Sequence, residues 1–494
     1  MKRLLSLLAL FLMAGMVAHA DSPRSLVRMT GLKVGEMKAF LEGDFDVART
    51  APGMVEVVVS ENEKMMIKKS GMKIRTLIPD LDAYVAARLN AQTPEAAYFT
   101  YETMTEALRD WATRYPQIAS MSSIGKSVEG RDIWALKLSD NPGTNELEPA
   151  CLVMGGTHAR EWIGVEVTMA TLKACLEGYG TDERFTRLVN EREIWFVPMV
   201  NPDGVIFSQT SQRYWRKNRR PVGTSFGVDL NRNFGYQWGM TGSSDKPYSD
   251  TYHGSAPFSE PETQAIKLLA EQERFQTSVS FHSYSELILY PFAYGYNAPN
   301  PDEAVYKDIG GQMAVFNQYT VQNCTELYPA MGISDDWLYG DQKTIAFTIE
   351  LAREFIPQPQ QIEGINRINV PAALLLIEKT AAIAVNSPSG SPEAVRGLDV
   401  VDGLDALAMG QRLIVKTSGD IREQLASRLQ TTVRRLGQVA AEAALAGDAG
   451  PLTRIRNSPA ARLVLPQISS RLRFEACHGQ KVPEPLLPVS QPTR

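Results

Sequence analysis

The apolar run LVM, residues 152–154, leads directly into GGTHAREWIG, residues 155–164, and this stretch gives the first indication of the fold. A short apolar run followed by two glycines is typical of a buried strand that enters a loop. His158 and Glu161 lie three residues apart in that loop. An imidazole and a carboxylate at this spacing can converge on one metal ion. An isolated His-x-x-Glu is more often a polar loop, so a metal site requires a third ligand elsewhere.

Apolar, β-branched runs recur through the middle of the chain and alternate with segments of helical periodicity. The runs are 150–154, 194–200, 277–281 and 344–349, and the helical segments are 104–114, 165–176, 262–272 and 370–384. Continuous apolar strands separated by helices predict an α/β fold with a mixed, mostly parallel sheet flanked by helices. Such sheets bind ligands beyond the C-terminal ends of their strands.

Two further polar residues stand at the C-terminal ends of these runs. His282 follows 277–281, and Glu350 follows 344–349, just as His158 follows 150–154. Two histidines and one carboxylate with a fourth position open form a catalytic zinc set, whereas structural zinc sites are closed by four protein ligands. Calcium requires more oxygen ligands than this set offers. The sequence therefore predicts a zinc site at one edge of the sheet.

Composition and the N-terminus restrict the class of protein. The chain has 494 residues and a formal net charge of −5, which offers no basic surface for nucleic acid. Residues 1–20 combine a positive start, an apolar stretch and Ala18-His19-Ala20, a pattern that predicts a bacterial signal peptide. No second stretch of this kind follows. We therefore expect a secreted or periplasmic protein without stable membrane insertion.

The rest of the chain divides into three segments by pattern. Residues 21–95 carry short alternating strands and amphipathic helices, which predict a small α+β domain. Residues 96–386 hold the α/β pattern. Residues 387–494 comprise a Ser/Pro/Gly linker and an arginine-rich helical region, interpreted as an appendage with a solvated basic face or as a binder of an anionic partner. The four cysteines allow three disulfide pairings, and the sequence does not choose among them.

Eight motifs occur in the order found in one enzyme family. They are GGTHAREWIG (155–164), NPDG (201–204), YWRKNRR (214–220), GVDLNRNF (227–234), YHGSAPFSEPET (252–263), FHSYSELILYPF (281–292), SDDW (334–337) and FTIELARE (347–354). From about residue 98 to 384 the chain resembles zinc carboxypeptidases of the A/B type, and most of all the bacterial carboxypeptidase T branch. Residues 21–95 occupy the place of that family's inhibitory prosegment, and residues 387–494 lie outside the resemblance.

The resemblance implies roles for the polar groups. His158, Glu161 and His282 would hold one Zn²⁺ per catalytic domain. Glu350 would be the general base, and Arg216 would stabilise the oxyanion, which are the tasks for which a carboxylate and a guanidinium beside a metal are suited.

The resemblance also implies a binding site for peptides that have a free C-terminus. The residues that would grip the terminal carboxylate are Asn231, Arg232 and Tyr328. Arg160 would contact the substrate further upstream. Asp335 corresponds to the pocket-floor aspartate of B-type enzymes, which predicts a preference for C-terminal Lys and Arg with some activity on apolar residues.

Departures from the family and alternative functions remain open at this point. Ser225 replaces a disulfide cysteine of the animal digestive enzymes, and Met331 and Ile333 replace small residues of B-type pockets. His253 is interpreted as a structural, hydrogen-bonded histidine. A monomeric metallo-exopeptidase is the first hypothesis. An exported zinc hydrolase that trims cell-wall peptides and a binding module without catalysis are the alternatives.

Overall fold

A computed structural model describes residues 23–380, apart from Glu42, Asp44, residues 90–97, Leu147 and Met240. The predicted signal peptide and the predicted C-terminal linker and helical region lie outside the described residues. Within these residues two sheets carry the architecture, one of four strands and one of eight.

The N-terminal region is a small α+β sheet, as expected. Its strands are β1 Ser25–Thr30, β2 Asp46–Ala51, β3 Met54–Val59 and β4 Ile74–Ile78, and its helices are α1 Val34–Leu41, α2 Glu61–Lys69 and α3 Leu81–Leu89. The strands pair antiparallel in the order β2-β3-β1-β4. Val27, Met29, Val55 and Val57 are buried against the helices, because alternate residues of a strand share one face.

The second sheet has eight strands. In chain order they are β5 Ala119–Lys126, β6 Asp132–Leu138, β7 Ala150–Met154, β8 Glu193–Val197, β11 Thr277–Ser283, β12 Leu287–Tyr290, β13 Thr320–Asn323 and β14 Ile345–Leu351, with a separate hairpin of β9 Pro221–Val222 and β10 Ser225–Phe226. Their spatial order is β13-β12-β14-β11-β7-β8-β6-β5. Four of the seven pairings are parallel, which confirms the predicted mixed, mostly parallel sheet.

Helices flank this sheet. They are α4 Tyr101–Arg114, α5 Trp162–Gly178, α6 Glu183–Asn190, α7 Pro202–Thr210, α8 Pro261–Glu273, α9 Glu303–Asn317, α10 Cys324–Leu327, α11 Ser334–Gly340 and α12 Pro359–Lys379. The central strands β7 and β11 are buried along their whole length, because helices shield both faces of a parallel sheet from water. Among the described residues, no helix has the length and apolar character needed to cross a membrane.

The strand ends differ from the sequence expectation in ways that matter for the site. Strands β11 and β14 continue to Ser283 and Leu351, so His282 and Glu350 lie within the strands instead of after them. Strand β8 ends at Val197 instead of Val200, since Pro198 lacks the N–H that a central strand needs.

Of the described cysteines, Cys151, Cys175 and Cys324 are all free and buried, which leaves no disulfide among them.

Candidate active site

Three polar groups converge at the C-terminal edge of β7 and β11. His158 Nδ1 lies 2.9 Å from Glu161 Oε1, and His282 Nδ1 lies 3.0 Å from His158 Nδ1 and 2.9 Å from Glu161 Oε2. All three side chains are buried. Glu161 is the residue before helix α5, so the loop after β7 turns it back toward His158.

This arrangement fits one zinc ion. Ligand bonds of about 2.0–2.1 Å in a tetrahedron place neighbouring donor atoms about 3.3 Å apart, close to the observed separations. Two imidazole nitrogens at 3.0 Å need a shared cation or proton, since two lone pairs would repel each other. The donor set of two nitrogens and a carboxylate also matches the ligands that zinc prefers.

Asp229 supports this cluster, although no pattern in the sequence predicted a role for it. Its Oδ1 lies 3.2 Å from His158 Nε2, and its Oδ2 accepts hydrogen bonds from Arg216 Nε at 3.0 Å and Nη2 at 2.9 Å. The carboxylate is fully buried, and Arg216 and His158 hold its pKa well below the usual range against the effect of burial. Asp229 therefore orients one imidazole and one guanidinium at once. The sequence signal that could have indicated this role was the position of Asp229 within the GVDLNRNF motif.

Glu350 lies beside the three converging groups on the neighbouring strand. It is directly opposite His282 in the parallel ladder of β11 and β14. Burial, followed by the negative charge of Glu161, raises the pKa of Glu350 to about 8. A bound cation would oppose both effects. With a cation bound, the carboxylate would be favoured, and that is the form that can accept a proton as a general base.

The residues expected to grip a terminal carboxylate lie on one wall, near helix α11. Arg232 is buried, with its Nε donating to Gly242 O at 2.7 Å, and its guanidinium carbon is 5.8 Å from the centre of the Tyr328 ring. Asn231 accepts a hydrogen bond from the Ser334 amide at 2.9 Å. The structure thus brings all three expected residues to the same wall.

Asp335 lies on helix α11 and is buried without a cation among its hydrogen-bond partners. It accepts hydrogen bonds from Thr348 Oγ1 at 2.7 Å and Ser334 Oγ at 3.2 Å, and burial raises its pKa. Its neighbour Asp336 accepts three hydrogen bonds from the amides of Ala293 and Tyr294, so Asp336 holds the loop after β12 in place.

The N-terminal region covers the cleft. Val47 and Ala48 of β2 line the cavity together with His158, Glu350 and Tyr328. The remaining cavity, about 20 Å³ in volume, has room for about one water molecule and none for a peptide. Arg160 is buried beneath the same strand, where it pairs with Asp46.

His253 has the structural, hydrogen-bonded environment that the sequence predicted. Its Nδ1 lies 2.9 Å from Gly254 O, and its ring packs edge-on against Trp238, with centroids 4.5 Å apart. It belongs to no metal-ligand cluster among the described residues.

Known proteins resemble this chain over the same segment. The family model described as zinc carboxypeptidase matches residues 104–372. A zinc carboxypeptidase of Saccharothrix mutabilis subsp. capreolus is 37% identical over 60% of this chain and 74% of its own length. Carboxypeptidase A4 of Mus musculus is 32% identical over 58% of this chain and 73% of its own length. The crystal structure of a Helicoverpa armigera carboxypeptidase A aligns with a TM-score of 0.65 at 24% identity, covering 74% of this chain and all of that one.

The matched segment includes every candidate residue of the cleft, from His158 to Glu350. It also spans more than half of the chain. The protein therefore belongs to the zinc carboxypeptidase family, and it is a zinc-dependent metallocarboxypeptidase.

Proposed function

We propose that the protein removes the C-terminal residue of peptides and proteins, with a preference for Lys and Arg and some activity on apolar residues. The observation that carries this proposal is the placement of Glu350 opposite His282, beside the cluster of His158, Glu161 and His282. A wall with Arg232, Asn231 and Tyr328 lies next to this centre, and a guanidinium fork matches a carboxylate through two parallel hydrogen bonds.

The residues divide the chemistry among them. His158, Glu161 and His282 would hold the zinc ion, which would act as a Lewis acid on the scissile carbonyl and on water. Glu350 takes a proton from the attacking water and delivers it to the leaving amine. Arg216, held by Asp229, donates to the developing oxyanion.

The grip on the terminal carboxylate makes the enzyme an exopeptidase. Arg232, Asn231 and Tyr328 bind that carboxylate and align the last peptide bond with Glu350. An internal peptide bond offers no carboxylate at this wall. This selectivity favours an exopeptidase over an enzyme that acts on side-chain-linked residues.

Asp335 is proposed to select basic C-terminal residues. A buried carboxylate without a cationic partner is destabilised, and the ammonium or guanidinium of a substrate would supply that partner. Asp335 is 1% exposed and keeps a raised pKa, so an incoming cation stabilises its charged form. Met331 and Ile333 precede Asp335 in the same loop and are both buried, and we propose that they supply the apolar surface that also admits Leu or Phe.

Substitution of Asp335 tests the preference. We expect kcat/KM to be higher for a peptide ending in Arg than for its Leu analogue, by about two orders of magnitude at most. Asp335→Ala should bring the ratio toward one, and Asp335→Asn should do the same while keeping the side-chain volume. A wild-type ratio at or below one that neither variant changes removes Asp335 from the specificity site.

Residues 21–95 are proposed to act as a prosegment that restrains the catalytic domain, residues 96–386. The support is the strand β2 that occupies the cleft and the buried pair of Asp46 with Arg160. Segment 1–20 would direct export of the protein. Cutting near residues 90–97 would then free the catalytic domain from residues 21–95, so the enzyme would become active outside the cytoplasm. We propose that it works there, secreted or periplasmic, as a monomer.

Two variants of the full chain test this restraint. Asp46→Asn leaves Arg160 buried and unpaired, which costs about 3–5 kcal/mol, so basal hydrolysis should rise at least tenfold. The control Arg88→Gln breaks a partly exposed pair with Glu354, worth about 1 kcal/mol or less, and should change activity little. Cutting the wild type between residues 90 and 97 should also raise activity. An uncut chain as active as the cut one contradicts the restraint.

A further inference from the structure

The NPDG motif, residues 201–204, lies between the loop that carries His158 and the loop that carries Arg216. Asn201 is the N-cap residue of helix α7, and its Oδ1 accepts a hydrogen bond from the Gly204 amide at 2.9 Å. This contact alone would be an ordinary helix cap. The side chain is fully buried, so its nitrogen also needs hydrogen-bond partners.

The side-chain nitrogen of Asn201 joins the two loops. Its Nδ2 donates to Thr157 O at 3.2 Å and to Lys217 O at 3.1 Å. Thr157 directly precedes His158, and Lys217 directly follows Arg216. A side-chain amide carries two donor hydrogens, and both are used here. One side chain therefore bridges the loop of a metal ligand and the loop of the expected oxyanion donor.

Backbone contacts hold both loops against Asn201. Its own amide donates to Gly156 O at 3.0 Å, and the Ala159 amide donates to Arg216 O at 2.9 Å. One backbone hydrogen bond between two loops fixes one point of each and still allows rotation about that point. The Asn201 bridge adds a second point on each loop, so it fixes their relative orientation.

Gly204 keeps the bridge short. A Cβ atom at this position would lie 2.5 Å from Lys217 O and 2.5 Å from Asn201 Nδ2, well inside van der Waals contact. Any side chain here would therefore displace the carbonyl that Asn201 holds. The motif thus combines a donor that reaches both loops with a glycine that leaves room for one of them.

The position of Arg216 matters because its guanidinium lies close to the metal-ligand cluster. Its Nη1 is 3.4 Å from His158 Nδ1 and 3.8 Å from Glu161 Oε1. Asp229 orients the guanidinium, whereas the loop contacts fix the backbone from which the side chain extends. A donor stabilises an oxyanion only at hydrogen-bond distance, and a misplacement of about 1 Å can cost about a hundredfold in rate.

We propose that Asn201 is a positioning residue for the reaction, which sets the distance between Arg216 and the metal-ligand cluster by bridging their two loops, an inference that rests on the proposed function. Asn201 acts through Arg216 and does not touch the substrate. Its loss should therefore affect turnover more than binding. A residue that only caps helix α7 would instead affect stability alone.

Asn201→Ser separates the bridge from the helix cap. A serine hydroxyl can still accept from the Gly204 amide, but it has one donor hydrogen and cannot bridge two carbonyl groups. In the zinc-loaded chain cut between residues 90 and 97, we expect kcat to fall about tenfold or more, with zinc content unchanged. Calorimetric binding of a peptide to the Glu350→Gln protein should change by less than about threefold when Asn201→Ser is added.

Asn317→Ser is the matched control. Asn317 is also buried, and its side chain donates to Asn369 Oδ1 at 3.0 Å and accepts from the Tyr319 amide at 3.1 Å. It ends helix α9 and is not among the residues that line the cleft cavity. Its kcat should stay close to wild type even if both variants lose stability. An equal loss of kcat in both variants would overturn the positioning role.

A double-mutant cycle with Arg216→Gln identifies the residue through which Asn201 acts. Arg216→Gln alone should lower kcat by about two to three orders of magnitude. Once this donor is gone, Asn201→Ser should have little further effect, because the two changes act on one interaction. Gly204→Ala displaces Lys217 O from the other side and should reproduce both results, so it decides the matter if Asn201→Ser does not fold.

The outcomes separate this inference from the proposed function. Losses that multiply in the double variant overturn the positioning role, because Asn201 would then act independently of Arg216. An Asn201→Ser enzyme with kcat within about threefold of wild type also overturns it and leaves the carboxypeptidase function intact. If Arg216→Gln itself leaves kcat unchanged, the proposed role of Arg216 is wrong and the inference fails with it.

Discussion

Replacing Glu350 by Gln is expected to lower kcat by about three to four orders of magnitude while zinc content and fold are retained. The substitution keeps the side-chain volume and removes only the group that accepts a proton. Glu350 belongs to the parallel backbone pairing between β11 and β14, so a change of its side chain should leave the neighbouring strand in place. The measurement is kcat on a peptide with a free C-terminus, together with the zinc-to-protein ratio.

Glu166→Gln is the matched control for this change. Glu166 is another buried glutamate with a raised pKa, about 7, caused by burial. Its carboxylate accepts a hydrogen bond from the Phe99 amide at 2.6 Å, a bond that a glutamine oxygen can also accept. Activity of this variant should stay close to wild type. A Glu350→Gln enzyme within tenfold of wild type would exclude Glu350 as the general base.

Replacing His158 by Ala is expected to abolish both zinc retention and activity. The substitution removes one of three ligands and leaves Asp229 and Glu161 without a shared partner. Two remaining ligands hold a metal weakly, and the affinity should fall by several orders of magnitude, as structural and catalytic zinc sites need three or four protein donors. Zinc is measured by atomic absorption after dialysis.

His253→Ala provides the control here, since its ring packs against Trp238 and contacts no metal-ligand group among the described residues. That variant should keep one zinc ion per chain. If His158→Ala kept stoichiometric zinc after dialysis, the assignment of His158, Glu161 and His282 as the ligand set would be wrong.

Much of the fold and the position of the site could be predicted from the sequence because of one geometric rule. Parallel strands end at the same edge, so polar residues at the ends of separate apolar runs must approach each other. His158 lies in the loop after β7, and His282 and Glu350 lie one residue before the ends of the adjacent strands β11 and β14, so the three groups meet at one edge of the sheet. Helices α4, α5 and α8 could likewise be predicted from the helical spacing of their apolar residues, because each of these helices buries at least one face against the sheet.

Contacts between distant segments could not be predicted in this way. Asp46 and Arg160 are 114 residues apart, and Asp229 and His158 are 71 apart. No local pattern encodes such a pairing, since it depends on how whole elements pack. The contacts of Tyr328 could not be predicted for the same reason. Tyr328 packs against the core of the N-terminal region, and the Arg232 guanidinium lies over its ring.

One measurement tests the central claim that this cleft removes single residues from a free C-terminus. Two peptides have the same sequence, but one ends in a carboxylate and the other in an amide. Each is incubated with the zinc-loaded chain cut between residues 90 and 97, and the masses of the products are measured by mass spectrometry. We expect stepwise loss of C-terminal residues from the acid alone, and no reaction with chelator present. Internal cleavage, or equal shortening of the amide, would contradict the account.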